Sequence, residues 1–131
     1  MKLTDYSRHK LLHTFAHWKV DKDYSDPMFN YLVYGYSPGS FFTAVLANDF
    51  LSAVACSHSA NTIPALKNLS GWIRDNMPSL AYGSYEAVHK WCKLSEDQRR
   101  LVLEECRLIY TSKEETWKIL KGEATQEPVI W

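Results

Sequence analysis

The chain has 131 residues, of which 46% are hydrophobic, 14% aromatic and 23% charged, a globular composition that can bury one core and excludes a disordered or low-complexity chain. Fifteen Lys and Arg balance fifteen Asp and Glu, so the electrostatic footprint of a non-specific nucleic-acid binder is missing. Three cysteines, Cys56, Cys92 and Cys106, make an odd count that does not suit a disulfide framework, and the opening MKLTDYSRHK is charged rather than apolar. A reducing, cytoplasmic setting is therefore expected.

From Thr4 to Val20 the apolar residues Leu11, Leu12, Phe15 and Trp18 recur at helical spacing with no Gly or Pro among them, which predicts an amphipathic helix. Asp26 followed by Pro27 reads as an N-cap with proline at the first helical position, opening a short second helix that Gly35 ends. The turn Tyr36-Ser37-Pro38-Gly39-Ser40 then starts a third helix, predicted to run unbroken over about 40–56 at the centre of the fold. On a helical wheel Ala44, Leu46, Ala47, Phe50, Leu51 and Val54 share its broad apolar face, while Asn48, Asp49 and Ser52 form a polar stripe opposite. That helix is too short and too polar to supply the roughly 20 residues of a bilayer span, so no membrane partner is expected.

Pro64 in a first turn, with Ile63, Leu66, Leu69, Trp72, Ile73 and Met77 on one face, predicts a fourth helix that ends before Pro78. Ser84 is a candidate N-cap for a short fifth helix carrying Tyr85, Val88, Trp91 and Cys92. Ser95 with Gln98 has capping-box spacing and opens a sixth, and Ser112 with Glu115 repeats the pattern for a last helix to Lys121. Strand-like alternation is absent, so the expected fold is all-α. It is a single-domain bundle of six to seven helices over residues 1–131, with a tail from about 123. Trp72, Leu46, Phe50, Leu51 and Val54 are the expected core.

Three constellations are candidates for chemistry. His9, His13 and His17 lie four residues apart along one helix edge, where they read as an interface or solvated stripe rather than as a metal site, because no carboxylate is in register. Cys56 with His58, and His89 with Cys92, are zinc-type ligands at an unusual spacing, and isolated cysteines more often serve as small buried hydrophobes. No metal or cofactor is expected. Gly39 and Ser40 present free backbone N–H groups at a helix start, and with Asn48, Asp49 and Ser52 they are the candidate contacts for a small anionic or nucleotide ligand. An ordinary N-cap is the plainer account of the same residues. Tyr34, Tyr36, Tyr82 and Tyr85 flank the glycine turns and are candidate interface residues. Motifs for nucleophilic, phosphate-binding or metalloprotease chemistry are missing, so catalysis is not the favoured activity.

The segment Pro38-Gly39-Ser40-Phe41-Phe42-Thr43-Ala44-Val45-Leu46-Ala47-Asn48-Asp49-Phe50 resembles a group of small proteins encoded by bacteriophages and prophages that share a PGSF, AVL, ND pattern. Tyr82-Gly83-Ser84 with Val88 and Trp91 is similar to a second, weaker signature of that group. The two segments fall within Tyr34 to Trp91, and the flanking helices lie outside them. The resemblance implies a phage-type accessory protein that acts on its host without catalysis. Inhibition of a host defence protein by direct binding is the favoured activity. Sequestration of a small anionic or nucleotide ligand at a helix N-terminus is the alternative, and a small enzyme without a recognisable motif is a third. A host protein is thus the expected partner, with a small molecule or a second copy of the chain as the others.

Overall fold

The computed structural model describes residues 5–57 and 62–109. Among the described residues seven α-helices follow one another: α1 (Asp5–His17), α2 (Ser25–Tyr34), α3 (Ser40–Leu46), α4 (Phe50–Ala55), α5 (Ile63–Asn76), α6 (Tyr85–Lys93) and α7 (Glu96–Glu105). Short 3-10 turns at Lys22–Tyr24 and Ser79–Ala81 link them, and the described residues contain no strand. The protein is a small all-α bundle.

Most helix starts are fixed by side-chain caps that satisfy otherwise orphaned N–H groups. Thr62 Oγ1 accepts from Ala65 N at 3.3 Å and Ser84 Oγ from Ala87 N at 3.0 Å. At α7 the box closes in both directions, with Gln98 N donating to Ser95 Oγ at 3.2 Å and Ser95 N to Gln98 Oε1 at 2.9 Å. Helix α2 begins at Ser25 instead of after Asp26, because the preceding 3-10 turn runs directly into it; Pro27, lacking an N–H, fits elsewhere in the first turn. It ends at Gly35, whose φ of 70° lets its N–H reach the Tyr31 carbonyl at 3.0 Å.

The unbroken helix expected over 40–56 is instead two helices joined at a corner. Asn48 sits at φ 63° in the left-handed region, which Asn tolerates better than most residues. Asp49 then caps α4, its Oδ1 accepting from Ser52 N at 3.2 Å. The polar stripe is therefore a turn and a cap. The corner also overturns three of the expected core positions: Leu46 and Trp72 are buried, but Phe50, Leu51 and Val54 are 64%, 80% and 44% exposed. Ala53 is the one buried residue of α4.

The core forms where α1, α2, α5, α6 and α7 converge. Phe15 stacks on Trp72 with ring centroids 4.4 Å apart, and Trp72 Nε1 donates to Thr14 Oγ1 at 2.9 Å. Trp91, fully buried, donates from Nε1 to the Tyr31 carbonyl at 3.1 Å, and Tyr31 Oη donates to the Ala81 carbonyl at 2.6 Å. Burial of each such ring contributes about 1.5–3 kcal/mol, and the hydrogen bonds keep the polar tips from cancelling that gain. Burial also pushes the Tyr31 phenol well above its ordinary pKa. Arg99 of α7 is buried too, donating from Nε to the Val33 carbonyl at 3.1 Å and from Nη1 to the Leu94 carbonyl. Among the described residues no buried side-chain nitrogen or oxygen lacks a partner.

Candidate interaction surface

The corner after α3 decides what the protein presents to its surroundings. In α4, Phe50 and Val54 are four residues apart and Leu51 and Val54 three apart, so the three side chains share one flank of the helix. Ile63, at the start of α5, is 65% exposed. Phe50 and Ile63 both line a groove of about 370 Å³, together with Val45, Ala53 and Leu66. A single exposed apolar side chain is ordinary; here Phe50 and Ile63 line the groove, and Leu51 and Val54 add exposed apolar surface on the same short helix as Phe50.

Two bonds from α6 and its leading turn hold this surface in place. Tyr85 Oη donates to Asp49 Oδ2 at 2.6 Å, and Gly83 N donates to the Leu46 carbonyl at 2.7 Å. The Tyr85 hydroxyl, followed by the Ser52 side chain and amide, holds the Asp49 carboxyl below the usual carboxylate range. The same hydrogen bond, followed by desolvation, raises the Tyr85 phenol. Asp49 thus stays ionised and Tyr85 protonated, and both Asp49 oxygens are engaged. The pair acts as a clasp on the N-terminus of α4.

The other sequence-predicted residues fall in separate places. The structure brings Asp49, Ser52 and Tyr85 together, with Asn48 lining the same groove as Phe50. Gly39 and Ser40 lie apart from them, in a hollow of about 400 Å³ shared with Asp23, Tyr24, Phe42 and Cys56. Gly39 has φ 90° and open space where a Cβ would stand. The described residues of that hollow include the Asp23 carboxylate and no Lys or Arg, and α3 is only seven residues long, which opposes anion binding there. Along α1, His13 and His17 are exposed and His9 is half-buried; His17 meets Trp18 edge-on at 5.8 Å. Tyr34 and Tyr36 lie against each other at 5.7 Å, and Tyr82 is half-buried beside the core.

Of the zinc-type residues, His58 lies outside the described residues, as do the expected last helix and the tail. Cys56 and His89 are exposed, and burial raises the thiol of half-buried Cys92, which disfavours the thiolate a metal needs. No three His, Cys, Asp or Glu gather into a metal-sized group among the described residues.

Sequence reasoning placed Phe50, Leu51 and Val54 inside because wheel geometry assumes an unbroken helix. The signal that finds the corner is Asn48-Asp49 itself, a left-handed-tolerant residue followed by a good N-cap and an amide three residues on.

The fold is a small all-α bundle with one short helix turned apolar side outward. Compared with protein-family models, curated proteins and solved structures, the chain finds no match in any of the three. Among the described residues, no helix is long and apolar enough to cross a membrane.

Proposed function

We propose that this is a phage-type accessory protein of the host cytoplasm that acts by non-enzymatic binding, inhibiting a host defence protein by docking α4 onto it. The observation that carries the reading is the exposure of Phe50, Leu51 and Val54 on α4, a helix clasped in place from α6, with exposed Ile63 of α5 lining the same groove as Phe50. Such a pattern suits a partner with an apolar helix or patch of its own, since interface cores are built from desolvated aromatic and aliphatic anchors inside a polar rim. Lys67 and Asp49 at the edge of the groove supply part of that rim. The phage-type origin is supported by the PGSF, AVL, ND resemblance, whose residues here build α3, the corner and the clasp.

The test is capture of a host protein by the tagged wild-type chain and by a Leu51→Asp/Val54→Asp variant side by side. One host protein retained by the wild type and lost by the variant, with the two chains melting alike, is the expected outcome. Equal retention by both, or retention of nothing while the chain self-associates through α4, contradicts it.

A further inference from the structure

On α5, Lys67, Ser70, Gly71 and Arg74 recur at i, i+3, i+4 and i+7 and so form one ridge along the helix. The Trp18 indole lies directly against Gly71, where an added Cβ would stand 2.5 Å from both Cε3 and Cζ3. At its other end the indole is pinned, Nε1 donating to Asp75 Oδ2 at 2.9 Å. A half-buried aromatic ring is thereby fixed between two cations, each about one helical turn away along the axis. These side chains surround an open groove of about 590 Å³, a size within the usual range of small-molecule sites.

Three polar groups around that ring are unspent. Lys67 and Arg74 make no side-chain hydrogen bond or ion pair among the described residues, and Asp75 Oδ1 has no partner there. A flat aromatic surface, a free carboxylate oxygen and two free cations ask for a ligand with a planar ring, a hydroxyl donor and a dispersed negative charge.

We propose that this groove, which shares Lys67 and Ser70 with the groove beside α4 but is built on Trp18, Gly71, Arg74 and Asp75, is a second site that binds a nucleoside phosphate. The base lies against the Trp18 indole, and a ribose hydroxyl donates to Asp75 Oδ1. The phosphoryl oxygens take hydrogen bonds from Arg74, as a fork, and from Lys67, as a point charge. An acidic peptide fits less well, because its carboxylates would meet Asp75 and leave the ring uncovered. A nucleic-acid strand needs a basic track along its backbone, and a chain of zero net charge does not offer one.

Adenosine diphosphate serves as the probe, followed through the Trp18 indole N–H resonance of the full chain, assigned by its loss in Trp18→Phe. Adenosine diphosphate should shift that resonance saturably, and Lys67→Glu/Arg74→Glu should weaken binding by at least about tenfold while the chain melts as the wild type does. Inorganic phosphate and a short single-stranded oligonucleotide are titrated alongside and should bind more weakly. No saturable shift at millimolar probe, or equal binding by the double variant, overturns the site. A stronger response to phosphate or to the oligonucleotide overturns its assignment to a nucleoside phosphate. Because both exposed cations lie outside the packed core, loss of folding does not confuse the result.

Discussion

Tyr85 on α6 donates its hydroxyl to Oδ2 of Asp49 at 2.6 Å, and this one bond ties the cap of α4 to a helix that begins thirty-six residues later. Asp49 also holds the first turn of α4 through Ser52 N. Asp49→Ala removes both roles and should lower Tm by a few degrees; Tyr85→Phe removes one and should lower it less. Thermal melts followed by circular dichroism check the order.

The clasp has a pH window whose edges follow from its two ends. A carboxyl held below its ordinary pKa contributes stability that is complete above the unfolded value, about pH 4, and is lost as pH falls through the folded value. A phenol raised above its ordinary pKa contributes stability that is complete below about pH 10 and is lost as pH rises through the folded value. Melts of the wild type should therefore fall off at both extremes, and those of Asp49→Ala should be flatter on the acid side. Equal acid dependence in the two proteins would show that Asp49 gains nothing from Tyr85.

Arg99 and Gly35 are matched in the same way. A Cβ on Gly35 would lie 2.7 Å from Arg99 Nη1 and 3.2 Å from the Cys92 carbonyl, at a φ of 70° that disfavours any side chain. Gly35→Ala should cost about 1–3 kcal/mol from backbone strain and crowding. Arg99→Ala strands the Val33 and Leu94 carbonyls and leaves a cavity, for a loss of about 2–4 kcal/mol. Urea unfolding measures both, and a loss below about 0.5 kcal/mol for Arg99→Ala would place that guanidinium outside the fold's essential network.

Gly71→Ala sets two effects of opposite sign against each other. Alanine gains about 1 kcal/mol of helix propensity over glycine, but its Cβ cannot stand 2.5 Å from the Trp18 ring. Overpacking of this kind costs about 1–3 kcal/mol, so the net effect should be destabilising, with the Trp18 indole resonance displaced as its bond to Asp75 breaks. A stabilised variant with that resonance unmoved would mean that Trp18 does not rest on α5.

The bundle was legible in the sequence because its helices announce themselves locally. Ser84 and the Ser95/Gln98 pair cap the helices expected of them, and Trp72, Leu46, Val88 and Trp91 lie inside. The interaction surface was not legible. Periodicity sees Phe41 to Cys56 as one helix, and a single left-handed residue, Asn48, rotates everything after it. The Trp18 groove escaped for a different reason: it joins residues fifty-three apart in the chain, through a glycine whose only signature is its presence within a helix. Local pattern carries no information about which distant ring fills the space a missing side chain leaves.

In the proposed function α4 is the element that binds the partner. Leu51 and Val54 are 80% and 44% exposed, so Leu51→Asp/Val54→Asp should leave Tm within about 2 °C of the wild type, as surface changes do. The most direct measurement is the amount of the captured host protein bound by this variant against the wild type at equal loading. A drop of at least about tenfold with Tm unchanged is the predicted result, since exposed anchors carry binding energy without supporting the fold. Undiminished binding by the variant would contradict the account and move the contact surface away from α4.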